Sequence, residues 1–163
     1  PGIDTTAAPV GLTSSGWGPL RIGMTRAEVV AAAGEDANPD AVGGPEPEHC
    51  DEFRPVGVPA GMLLMIEQDR LTRISVARDT SVHTSEGFGV GDTAEEIREA
   101  YGDRLVETPH KYIESPAAYL TVWTVPPPPD SSARGIVYEV GPDARVAYIH
   151  AGTASIQYVE GCL

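Results

Sequence analysis

The sequence has 163 residues and is short of lysine. Lys111 is the only one beside ten arginines, and 24 acidic residues leave a formal net charge of −13. A surface of that sign repels phosphate backbones, and no basic patch relieves it, so nucleic acid is not an expected partner. At long range such a surface steers cationic partners inward. No apolar run reaches about 18 residues, which excludes a membrane-spanning helix. Aromatics make up only 6% of the chain. Cys50 and Cys162 are the only cysteines, in neither CxxC nor zinc spacing. They are two free thiols in a reducing compartment or one long-range disulfide in an oxidising one.

Catalytic signatures are missing too. Neither G-x-S-x-G nor H-E-x-x-H occurs, and His49, His83, His110 and His150 are scattered without metal-ligand spacing. His49 beside Cys50 would make a thiolate dyad only with a free thiol. Asp36-x-Asn38-x-Asp40 starts like a calcium loop, but Ala41 and Pro47 stand where such a loop needs glycine and glutamate. The acidic stretch 34–52 therefore reads as a solvated loop. The expectation is a non-catalytic protein with no metal and no cofactor.

What is present is a phrase written twice: IGMTRAEVVAAAG (22–34) and VGDTAEEIREAYG (90–102). In the first, Thr25 and Glu28 form a T-x-x-E capping box, Met24 and Val29 sit at the staple positions, and Gly34 stops a helix over 26–33. In the second, Gly91, Thr93, Glu96 and Gly102 stand at the same spacing, with Ile97, Ala100 and Tyr101 as the apolar face. These residues are architectural, because a phosphate loop would need the Walker lysine and more glycines.

Each phrase is followed by two β runs around a tip, MLLMIEQDRLTRISVA (62–77) and IVYEVGPDARVAYIHA (136–151). Further strands are expected at 52–56, 118–125 and 154–160, and 125–135 reads as a stiff polyproline loop. The expected fold class is α+β. Two tandem helix-plus-antiparallel-meander repeats place their helices on one face of the sheet. Residues 1–16 read as a flexible linker, 17–80 as the first repeat and 81–163 as the second, the two forming one unit.

The two phrases, the helix–meander order and the tail YVEGC (158–162) resemble bacterial extracytoplasmic proteins of the β-lactamase-inhibitor-protein-like (BLIP-like) fold. A single copy is similar to the SmpA/OmlA (BamE-like) lipoproteins, which carry a similar G-M-T-x-x-x-V phrase before a helix. The resemblance covers most of 17–162. It implies an extracytoplasmic protein, whether periplasmic, envelope-anchored or secreted, with a lipid anchor upstream of the given residues as one option. It favours a Cys50–Cys162 disulfide. It also implies a protein partner held on the open face of the sheet, or, as the alternative, inhibition of a secreted or periplasmic enzyme.

The period of two along strands says which residues share that face. Leu71, Arg73 and Ser75 fall on one side, with Ile74 and Val76 on the other. Aligning the repeats matches Arg73 to Tyr148 and Ser75 to His150. Tyr119 and Trp123 share a side opposite Leu120 and Val122, and Tyr158 shares one with Glu160. The expected protein-binding patch is therefore Tyr119, Trp123, Tyr148, Tyr158, His150 and Arg73, rich in the residue types that dominate interface energies. Tyr138 does not join it, since its side also carries Ile136 and Val140.

Overall fold

Thr25 and Thr93 open the two helices by the same device. Each Oγ1 accepts from the backbone N–H of the glutamate three residues on, and that glutamate's carboxylate accepts from the threonine N–H. Helix α1 runs Arg26–Ala33 and α2 runs Ala94–Tyr101. The computed structural model describes residues 11–37, 48–77, 81–125, 133–158 and 162. The middle of the acidic loop with Asn38 and Asp40, most of the polyproline loop, and Glu160 lie outside the described residues.

The short strands β1 (Gly16–Trp17) and β2 (Leu20–Arg21) pair with each other. The remaining seven are β3 (Cys50–Phe53), β4 (Met62–Glu67), β5 (Arg70–Ala77), β6 (Leu105–Pro109), β7 (Ala118–Val125), β8 (Arg134–Val140) and β9 (Val146–Gly152). They form one antiparallel sheet in the order β3-β4-β5-β9-β8-β7-β6.

This corrects the expected fold class. The architecture is an antiparallel sheet with two eight-residue helices attached, not a pair of helix-plus-meander repeats. The likeness of the two phrases is local. Gly23 N–H donates to Leu71 O at 2.8 Å, and Gly91 N–H donates to Val146 O at 2.8 Å, so each lead-in is tied to a strand in the same way. Arg70 Nη1 and Arg145 Nη1 likewise donate to the Gly23 and Gly91 carbonyls, at 3.1 and 2.9 Å, but the halves differ in strand number: three strands of the large sheet follow α1 and four follow α2.

One face of the sheet carries Leu64, Ile66, Ile74, Val76, Leu120, Tyr138 and Ile149, and it packs under Val29 of α1 and Ile97 and Tyr101 of α2. Tyr138 is fully buried. Its hydroxyl bonds Tyr101 Oη at 2.8 Å and donates to Thr84 Oγ1 at 3.0 Å, and burial pushes both phenols up in pKa. Arg26 pins α1 to Asp51 of β3 at 2.6 Å, and Arg98 of α2 grips Glu107 of β6 through two bonds of 2.9 and 2.8 Å. Neither α1 nor α2 packs on the other face, which carries the 3-10 turn Ala154–Gln157.

Four local expectations are corrected. Residues 11–16 are not linker, because Leu12 is fully buried and its N–H donates to His83 O at 2.8 Å. Ala154–Gln157 is a 3-10 turn capped by Thr153, not a strand. Leu71 belongs to the core, not to the side of Arg73. Met65 pairs with Arg73 while Ile66 pairs with Leu71, so Thr72 is an extra residue that turns Leu71 over. In α2 the buried residues are Ala94, Ile97 and Tyr101, and Ala100 is exposed.

Cys50 and Cys162 are joined, with Cα atoms 5.6 Å apart, which ties the end of the chain to the edge strand β3. His49 therefore has no thiolate beside it. A disulfide belongs to an oxidising compartment, so the chain is an extracytoplasmic protein. No helix among the described residues is long and apolar enough to cross a membrane.

Candidate functional site

The register of the four strands β6–β7–β8–β9 builds one surface on the open face. Thr108 lies opposite Tyr119, Tyr119 opposite Glu139, and Glu139 opposite Tyr148. One step along, Val106 lies opposite Thr121, Thr121 opposite Val137, and Val137 opposite His150. A cavity of about 270 Å³ opens there, lined by Tyr119, Trp123, Tyr158, Glu139, His150 and neighbours including Val106, Thr108 and Gln157. Four of the six residues expected in the patch thus line one cavity.

Tyr148 stands next to it, 45% exposed, its ring 6.1 Å from that of His150 and nearly parallel. Arg73 does not belong to the exposed patch. It is 5% exposed, and its Nη1 donates to Tyr158 O at 3.0 Å and to Ser155 O at 3.4 Å, beneath the tail that forms the cavity's far wall.

Sequence reasoning missed the polar floor. Glu139 Oε2 faces His110 Nε2 at 3.0 Å, and its Oε1 faces His150 Nε2 at 3.0 Å. The backbone N–H groups of Tyr112 and Ile113 both donate to His110 Nδ1, at 3.1 and 3.2 Å, so the proton of His110 is on Nε2 and points at Glu139. Ser75 Oγ lies 2.7 Å from His150 Nδ1, and its hydroxyl donates there while His150 Nε2–H donates to Glu139. Burial lowers the His150 pKa, which keeps the ring neutral. Burial alone would push the Glu139 carboxyl up, but bonds from His150 and His110 outweigh it and hold the group ionised below the usual carboxylate range. His110 also stacks on Tyr119, centroids 4.7 Å apart.

Glu139 was legible only as the outward neighbour of Tyr138, and nothing in the spacing pointed to His110, 29 residues away. Among the described residues no group of three or more histidine, cysteine or carboxylate side chains could hold a metal.

Two exposed large apolar residues, Val106 and Tyr158, line the cavity. Seven large apolar residues are exposed among those described. Val106, Tyr112, Ile113, Val125, Tyr148 and Tyr158 all lie on these strands, the turn after β6 or the tail, and only Val56 is elsewhere.

No family model and no curated protein matches the chain. Among solved structures, an extracellular protein containing an SCP domain from Bacillus anthracis strain Ames is similar, with a TM-score of 0.51 and 11% identity over 92% of this chain. The chain spans about half the length of that protein, 50% of it. At that identity the likeness is of fold alone. It is a likeness to an SCP-domain-containing protein and not to a BLIP-like or BamE-like one, which again removes the helix-plus-meander repeat as the fold class.

Proposed function

We propose that this is a non-catalytic, protein-binding domain of the bacterial envelope or its surroundings, which holds its partner on the open face of β6–β9. The supporting observation is an aromatic-lined cavity on that face, with exposed Val106 and Tyr158 in its lining and exposed Tyr148 beside it. Half-buried tyrosine and tryptophan at the centre of such a patch are the usual anchors of an interface.

The test is a crosslinked pull-down from the envelope and culture fractions of the source organism. It compares the wild type with a Trp123→Ala, Tyr148→Ala double variant of unchanged circular dichroism. A partner held by the wild type and lost by the variant supports the reading. Equal capture by both removes the face from consideration. A tight one-to-one complex with a hydrolase would make the protein an inhibitor.

A second reading has its own observation. Ser75, His150 and Glu139 stand in the order hydroxyl, imidazole, carboxylate, which is the order of a serine hydrolase. Against it, Ser75 is buried at 8% exposure and does not line the cavity. Labelling of Ser75 by a fluorophosphonate probe would favour hydrolysis. No labelling leaves the three groups a structural network.

A further inference from the structure

We propose that the cavity takes one basic side chain of a partner protein, an arginine or a lysine, with Tyr119, Trp123 and Tyr158 around it and the Glu139 carboxylate at its floor. This rests on the protein-binding reading and names the chemistry of the contact. The lining supplies what a cation needs. Aromatic rings attract it through their quadrupoles, more strongly where water is excluded. A carboxylate accepts at about four lone-pair positions, and the two Nε2–H donors of His110 and His150 occupy two of them.

The bonds that hold the Glu139 carboxylate come from His110 and His150. The Arg73 guanidinium lies behind the floor, committed to the Ser155 and Tyr158 carbonyls and 3.6 Å from Glu52. A volume of about 270 Å³ is small for a drug-sized ligand and suits one long side chain. The formal charge of −13 draws basic partners toward the molecule as a whole. The other ligand that stacks on aromatic rings is a neutral sugar, and Glu139, held ionised, favours the cation over it.

The experiment separates charge from shape. Nα-acetyl-arginine amide and its near-isostere Nα-acetyl-citrulline amide are titrated into the whole chain at low salt. Binding is read from the indole N–H resonances of Trp123 and Trp17 by NMR. The arginine compound should move Trp123 saturably, with a dissociation constant on the order of 1 mM, as befits one side chain. Citrulline should bind at least tenfold more weakly, and Trp17 should stay still. Glu139→Gln should cost the arginine compound a further tenfold or more, and 0.5 M salt should weaken it.

Equal binding of arginine and citrulline, saturable binding of a neutral disaccharide but not of arginine, or no movement of Trp123 would each overturn the proposal. The titrations on wild type decide the matter even if Glu139→Gln disturbs the histidines. A partner still lost by the aromatic double variant, with arginine and citrulline indistinguishable, would leave the protein-binding face standing and remove only the basic anchor.

Discussion

Trp123 lies across Gly135. A β carbon on Gly135 would sit 2.6 Å from the indole Cε3 and 2.8 Å from the Val122 carbonyl oxygen, closer than real contacts allow. The cavity wall therefore depends on a missing side chain on the neighbouring strand. Gly135→Ala should push the indole off its seat and cost about 1–3 kcal/mol, the usual effect of overfilling a packed site. In a Trp17→Phe background Trp123 is the only tryptophan, and its emission should shift to the red. An unchanged spectrum with unchanged denaturant midpoint would show that the indole does not need the glycine.

Acid should loosen the same face. Burial lowers the His150 pKa from its ordinary 6.5, so below that pH the unfolded chain binds a proton that the folded chain refuses. Stability from this group is whole above about pH 6.5 and is lost as the pH falls from there to the folded value. Glu139 adds a second loss lower down. Its contribution is present above 4.5 and disappears as the pH falls through its lowered folded value. Glu52 acts in the opposite sense, because burial raises its pKa and the folded chain then gains on acidification toward 4.5. Urea midpoints at pH 7.5 and 5.5 for wild type and His150→Gln isolate the histidine. The wild type should lose up to about 1.4 kcal/mol per pH unit more than the variant. Equal losses would mean that His150 does not resist protonation.

The helix caps give a control that lies away from the cavity. Thr25 and Thr93 each accept at 3.2 Å from the glutamate N–H three residues on. Thr25→Ala and Thr93→Ala should each cost about 1 kcal/mol, or roughly 2–4 °C in melting temperature for a chain of this size. The double variant should show the sum, since the helices are separate. A much larger loss at one site would mean that its helix carries more of the fold than the other.

What could be read in advance follows from how local each signal is. The boundaries 26–33 and 118–125 came out as written, because caps and apolar alternation are written within a few residues. The shared face of Tyr119, Trp123 and His150 followed from the period of two. Leu71 was misplaced because the extra residue Thr72 inverts that period, and a bulge leaves no mark in the residue pattern. Strand β6 was missed because residues 106–109 are all exposed, so it has no apolar alternation to show. The sharp capping boxes drew attention to the helices and suggested repeats. The sheet dominates the fold through pairings such as β5 with β9, whose residues lie about 75 positions apart. Glu139, His110 and Ser75 meet for the same reason, through strand order and not through spacing.

Arg73 bears on how the tail is held. Two restraints act on residues 154–158, which form the far wall of the cavity. The disulfide closes a loop across a separation of 112 residues, and reducing it should cost about 2–5 kcal/mol, chiefly by freeing the unfolded chain. Arg73 acts in the folded state, through its bonds to the Ser155 and Tyr158 carbonyls, while the Ser155 hydroxyl donates to Glu67. The two can be told apart by hydrogen exchange. Arg73→Met with the disulfide intact leaves the Tyr158 carbonyl without its donor and the Ser155 carbonyl with only the Tyr158 amide, at about 1–3 kcal/mol. It should speed exchange of the Tyr158 amide, which donates to Ser155 O at 3.1 Å, while β7 and β8 keep their protection. Reduction of the wild type should instead lower protection across the sheet by lowering global stability. If Arg73→Met leaves the Tyr158 amide as slow as before, the disulfide and Glu67 hold the wall without the arginine. The buried guanidinium would then serve Glu52 alone.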